Sequence, residues 1–185
     1  INLENAKSAN RHETAGAAKD RIKLYGNNNG NALTEIVVPT CVEYISKLSL
    51  LIIGMSDLAV SFWDTTAYRR DPDGAVPWFV KRVHSEMLVL KMSWCAPYNI
   101  LFTSGPQTTG QIYAWKVSVE GHGAELKMRK AGSLKGHTDV VTDLLTVFEM
   151  RGSTLDYCAL VSSSLDRCLH IWDPETLTLR AKRTG

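Results

Sequence analysis

Short apolar runs separated by polar, turn-forming residues recur along most of the chain. Leu50 to Gly54, Val60 to Trp63, Ile100 to Ser104 and Ile112 to Trp115 have strand length and are rich in β-branched or aromatic residues, so each predicts a β-strand. Three stretches close on a tryptophan in the same manner: SDLAVSFWD (Ser56 to Asp64), TTGQIYAWK (Thr108 to Lys116) and LDRCLHIWD (Leu165 to Asp173). Asp57 stands six residues before Trp63, Asp166 six before Trp172, and Thr109 holds the equivalent place before Trp115. Self-similarity of this kind means that one supersecondary unit has been copied.

The copies divide the chain. Residues 1–19 are polar and Ala-rich and read as a loop or linker; residues 20–33 read as the remnant of a preceding copy, with Tyr25 in the tryptophan's place. The first clear copy covers 34–83, with an opening strand whose apolar places are Pro39, Val42 and Tyr44, and a fourth strand over Val76 to Val83. The second covers 84–135 and has its outer strand at Leu126 to Leu134. The third covers 136–185, its first two strands separated by Glu149 to Leu155 and its outer strand at Leu177 to Lys182. Asp71-Pro72-Asp73-Gly74 reads as a turn rather than a calcium loop, because Arg82 stands where a bidentate glutamate is required.

The third copy is the most complete. Gly136-His137 opens it, Val141 and Leu144 follow, then Val161-Ser162-Ser163-Ser164-Leu165-Asp166, and finally Leu169-His170-Ile171-Trp172-Asp173. This pattern resembles a WD40 repeat, the four-stranded blade of a β-propeller, with its early Gly-His and closing Trp-Asp. The resemblance implies an all-β fold: a WD40 propeller segment of about three to four blades, an incomplete ring. It also implies that His137 hydrogen-bonds Asp166, and that Ser162 links His137 to the Trp172 indole. The corresponding positions elsewhere are Asp57 and Trp63 in the first copy, and Ser104, one residue early, with Trp115 in the second. Ile53 falls where the first copy's serine belongs.

Roughly 52 residues separate Trp63 from Trp115 and roughly 57 separate Trp115 from Trp172, against about 40–45 for the ordinary unit. The excess is expected in polar loops, where such scaffolds carry specificity. The last residues, Arg183-Thr184-Gly185, stop where another Gly-His would begin. Since propellers need about four to eight blades, the sequence is expected to be part of a longer protein.

Composition narrows the function classes. The 185 residues are 44% hydrophobic, enough for a sizeable core, and carry a formal charge of +2 from 21 basic and 19 acidic residues. That near balance gives no reason to expect a polyanion partner. No apolar run approaches the length of a membrane span. Cys41, Cys95, Cys158 and Cys168 form no CxxC pair and read as buried hydrophobes in a reducing compartment, the cytoplasm. His122 and His170 lack partners at ligand spacing and read as surface residues, so no metal or other cofactor is expected.

Ser162, His137 and Asp166 are also the residue types of a nucleophilic triad. Ser162 lacks the flanking glycines of a nucleophile elbow, and a triad leaves Trp172 unexplained, so the structural role is favoured. The resulting expectation is a non-catalytic scaffold that binds other proteins, possessing the long-looped blades of cytoskeletal or ciliary WD-repeat proteins. By resemblance, partners meet the face around His84, Gly136 and Asp139 and the hairpin from Pro106 to Gly110. The alternatives are an RNA-binding module and a serine hydrolase.

Overall fold

The computed structural model describes residues 24–26, 32–34, 37–66, 78–85, 87–120 and 125–185. They fall into two compact units, 1–38 and 39–185. In the first, β1 (Leu24–Gly26) pairs antiparallel with β2 (Ala32–Thr34). The rest of the expected remnant, and the Asp71 to Gly74 turn, lie outside the described residues.

The second unit contains three antiparallel four-stranded sheets, each a simple meander. The first has β3 (Pro39–Ile45), β4 (Leu50–Met55), β5 (Ala59–Asp64) and β6 (Trp78–His84). The second has β7 (Lys91–Cys95), β8 (Ile100–Ser104), β9 (Ile112–Glu120) and β10 (Glu125–Leu134). The third has β11 (Val141–Arg151), β12 (Thr154–Ser164), β13 (Cys168–Asp173) and β14 (Thr178–Thr184). A single 3₁₀ turn, Ser46–Leu48, interrupts the described part of this order.

The three sheets repeat one another in register. Each closing tryptophan faces a leucine on the preceding strand: Trp63 opposite Leu51, Trp115 opposite Leu101, Trp172 opposite Leu160. Each also sits beside a bulge on its outer side, where Val80, Ala131 and Arg180 are skipped in the pairing. A bulge re-aims the residue it inserts. In the third sheet it sends Arg180 to Asp173, which it contacts through Nε at 3.1 Å and Nη2 at 2.7 Å, while Nη1 donates to the Cys158 carbonyl at 2.6 Å.

The middle sheet is covered on both faces, which explains why all five residues of β8 are buried. Ile52, Phe62, Leu101 and Val117 fill one core, with the first sheet. Phe102, Ala114, Leu144, Leu160 and Trp172 fill the other, with the third. Cys95 and Cys158 meet in this second core with sulfurs 3.5 Å apart, and burial followed by the neighbouring thiol pushes Cys95 up to about 12. On the far faces of the outer two sheets Val42 is 62% exposed and Leu145 61%. Val42 and Tyr44, expected as the apolar places of the opening strand, thus point away from the core, which Ile45 enters instead.

Two further expectations need correction. Only Gly152 and Ser153 separate β11 from β12, so the segment Glu149 to Leu155 is mostly paired strand. Much of the surplus length between Trp115 and Trp172 is therefore extended hairpin rather than loop.

Charge is sorted by strand position. The outermost strands β6, β10 and β14 carry Lys81, Arg82, Lys127, Arg129, Lys130, Arg180, Lys182 and Arg183, against Glu125 as their one acidic residue. The first strands β3, β7 and β11 carry Lys91 and Arg151 against Glu43, Asp143 and Glu149. A near-neutral chain thus has a basic outer edge. No helix among the described residues is long and apolar enough to cross a membrane.

Candidate functional site: the polar interior of the third sheet

The turn between β12 and β13 creates the site. Arg167 takes the left-handed conformation at φ 66°, and its amide closes the turn on the Ser164 carbonyl at 3.1 Å. Asp166 is thereby held with its carboxylate folded back over the turn, where Oδ1 accepts the Cys168 amide at 2.9 Å. Oδ2 accepts the Thr138 amide at 3.0 Å and lies 2.9 Å from His137 Nδ1. Burial alone raises the Asp166 pKa, but the Thr138 amide, the His137 imidazole and the Cys168 amide outweigh it and hold the carboxyl well below the usual carboxylate range.

These contacts orient the remainder of the network. A carboxylate can only accept, so His137 donates from Nδ1 and presents Nε2 as an acceptor. Ser162 Oγ lies 2.8 Å from Nε2 and donates to it. The Trp172 indole N–H donates in turn to Ser162 Oγ at 2.8 Å. Hydrogen bonds run in one direction from tryptophan to serine to histidine to aspartate, and each polar atom in the path has a partner. Ser162, at 1% exposure, has its proton committed to His137 and one lone pair to Trp172.

His170 belongs to this interior, contrary to the surface position expected for it: it is 1% exposed. In β13 the side chains alternate, so His170 shares Trp172's inward face while Leu169 points out. Its ring stacks on His137 with centroids 3.8 Å apart and planes 8° from parallel, and neither nitrogen has a hydrogen-bond partner among the described residues. Burial first, then the proximity of His137 and Lys182, lower its pKa, with Asp166 opposing them. Donor atoms of His137, Asp166 and His170 lie within 4.8 Å of one another. Stacked rings direct their lone pairs in parallel rather than towards one point, and both His137 nitrogens are already bonded, so the trio is not arranged as a metal centre. His122 lies outside the described residues.

The other two copies use different partners. In the second, Trp115 donates to Thr103 Oγ1 at 2.9 Å, while the expected Ser104 has a buried hydroxyl with no hydrogen-bond partner among the described residues. Pairing explains the correction: two residues beyond the leucine facing the tryptophan stand Ile53, Thr103 and Ser162. The second copy's hairpin, 105–111, is longer than 165–167, so counting back from the tryptophan lands on the wrong residue. In the first copy Trp63 donates to Ser61 Oγ at 3.2 Å, which bonds the Ile53 carbonyl at 3.3 Å. Asp57 pairs with Arg82 instead of a histidine.

Of the expected partner-binding residues, Pro106 and Gly136 are exposed and Asp139 is half-buried. Asp139 Oδ1 accepts the Val140 amide at 2.7 Å and its carbonyl accepts the Ser164 hydroxyl at 3.0 Å. Gly110 is buried at φ 59°, and a Cβ there would come within 2.4 Å of His137 Cβ and 2.6 Å of the Asp139 carbonyl oxygen. It is a packing glycine that lets the second sheet's hairpin rest on the loop opening the third copy. His84 ends β6, and its side chain lies outside the described residues.

No protein-family model and no curated protein matches the chain. Solved structures do. A structure described as "Crystal Structure of Mitotic Checkpoint Complex" is similar at a TM-score of 0.55 and 18% identity, covering 87% of this chain and 43% of that one. "Crystal structure of RRP9 WD40 repeats" gives 0.54 and 17%, with 90% and 42% covered. "Structure of U3-55K" gives 0.54 and 17%, with 90% and 43% covered. The chain therefore spans less than half the length of each of these structures. Three tryptophan-closed antiparallel sheets in common register, together with these neighbours, identify the fold as that of WD40 β-propeller blades.

Proposed function

We propose that this protein is a non-catalytic scaffold that holds other proteins together, within a larger WD-repeat protein of a multisubunit assembly in the cytoplasm, cytoskeletal or ciliary. The observation that carries the reading is the state of Ser162. Its hydroxyl has the neighbours of a triad serine, yet it is buried beneath Trp172 and bonded to the indole, so no carbonyl carbon can approach it. The same residues that would perform hydrolysis are spent on rigidity, and a rigid blade presenting loops suits binding.

Two observations support the larger setting. The exposed apolar side chains of Val42 and Leu145 match what further blades would cover, and the unlinked cysteines suit a reducing compartment. Cross-linking mass spectrometry on the protein in its native cell tests the reading, with recurrent protein partners as the expected result. Labelling of Ser162 by a fluorophosphonate would replace it with a hydrolase.

A further inference from the structure

We propose that Cys95 and Cys158 form a peroxide-responsive modification site, at which oxidation joins the two thiols into a disulfide linking the second sheet to the third. Cys95 ends β7 and Cys158 lies in β12, 63 residues away in sequence, yet their sulfurs stand 3.5 Å apart in the core between the sheets. A disulfide holds its sulfurs about 2.05 Å apart, so roughly 1.5 Å of approach completes the bond. Both cysteines are free thiols. The other two make different sulfur contacts: Cys41 meets Thr40 and the Val89 carbonyl, and Cys168 the Asp166 carbonyl.

The two sulfurs are not equivalent. Burial raises the pKa of each. At Cys158 the Cys95 thiol and then the Arg180 guanidinium pull it back down, with Asp173 opposing them. At Cys95 the Cys158 sulfur adds to the burial, against the Tyr98 amide and Lys116. Arg180 reaches this place through the bulge in β14, its Nη1 on the Cys158 carbonyl at 2.6 Å. Cys158 is thus the thiol that ionises first, and Cys95 donates its S–H to it.

Cys158 also lies at the margin of the core. It is the first buried residue of β12, it follows the exposed Tyr157, and it faces Phe148, itself exposed, across the hairpin. Tyr98, Leu155 and Leu177, which pack against this core, are only partly buried. A molecule as small as hydrogen peroxide needs no more than a local opening of that margin.

The chemistry balances in two steps. The Cys158 thiolate attacks one peroxide oxygen; the O–O bond breaks, the other oxygen leaves as water with the proton Cys158 gave up, and Cys158 becomes a sulfenic acid. The Cys95 sulfur then attacks the Cys158 sulfur; the S–S bond forms, the S–O bond breaks, and the hydroxyl leaves as water with the Cys95 proton. The two thiols lose two electrons and the peroxide gains them. A dithiol reductant reverses the bond by exchange.

Peptide mass spectrometry without reduction, on the full chain treated with hydrogen peroxide while folded, tests the assignment. A peptide pair linked through Cys95 and Cys158 is expected, and dithiothreitol should abolish it. In Cys95→Ala, dimedone is expected to label Cys158 as the sulfenic acid; in Cys158→Ala, Cys95 should stay unlabelled. Absence of the linked pair from the unsubstituted chain, its appearance only in urea, or preferential linkage of either cysteine to Cys41 or Cys168 overturns the site. Dimedone on Cys95 and not on Cys158 overturns the order of attack.

Discussion

The imidazole of His170 lies flat on that of His137, 3.8 Å between centroids, deep in the third sheet. Burial first, then His137 and Lys182, lower its pKa from 6.5, which favours the neutral ring. The unfolded chain binds that proton more readily. The stability contribution is therefore complete above about pH 6.5 and is lost as pH falls below it, towards the folded-state value. The melting temperature should drop between pH 7.5 and pH 5.5, roughly, and His170→Leu should flatten that drop. An equal drop in the variant would remove His170 as the cause.

Asp166 titrates in a separate window. Its folded-state pKa is depressed below 3.8, so its contribution is present above that value and disappears as pH falls through the folded one. Asp166→Asn should abolish the acid limb below about pH 4 while leaving the histidine limb near neutrality intact. Urea denaturation at stepped pH separates the two.

Breaking the chain of hydrogen bonds at its centre should be costly. His137→Ala leaves Ser162 and Asp166 without the imidazole, and a loss of about 1–3 kcal/mol is expected. Ser162→Ala should cost a similar amount, and the double variant should lose less than the sum, because the two residues share one network. Chemical denaturation of the three variants measures the coupling.

Thr103 and Ser104 offer a contrast between neighbours. Thr103→Val orphans the Trp115 indole and should destabilise by about 1–2 kcal/mol. Ser104→Ala removes a buried hydroxyl that lacks a hydrogen-bond partner among the described residues, and should be neutral or mildly stabilising. The opposite order would mean that Ser104, rather than the residue set by strand pairing, is the indole's partner.

Gly110 and Gly152 both have positive φ, at 59° and 63°, but only Gly110 is crowded. Gly152→Ala should carry the backbone penalty alone, about 1 kcal/mol, whereas Gly110→Ala must also displace His137 and the Asp139 carbonyl and should cost clearly more. A thermal shift comparison ranks them.

The repeat itself was legible because its signals are local: a strand-length apolar run, a tight turn and a tryptophan recur together. Partners set by pairing between strands were less so. Thr103 was missed because the longer hairpin before Ile112 shifts the count while register stays fixed. The burial of His170 could have been found by stepping back two residues from Trp172 along an alternating strand. The length of the β11–β12 hairpin was hidden by its own chemistry. Phe148, Met150 and Tyr157 remain substantially exposed, so neighbouring polar residues such as Glu149 and Arg151 gave the stretch the look of a loop. The basic outer edge cancels against acidic residues elsewhere and vanishes from a net charge of +2.

The skipped residue beside each tryptophan also resets the phase of its outer strand. Before Arg180, the side chains of β14 follow one parity; after it they follow the other, so Leu179 and Ala181 answer to adjacent residues of β13 rather than alternate ones. The same half-step occurs at Val80 and Ala131. Any attempt to transplant a binding motif onto these strands by even-and-odd numbering would place half of it on the wrong side of the blade.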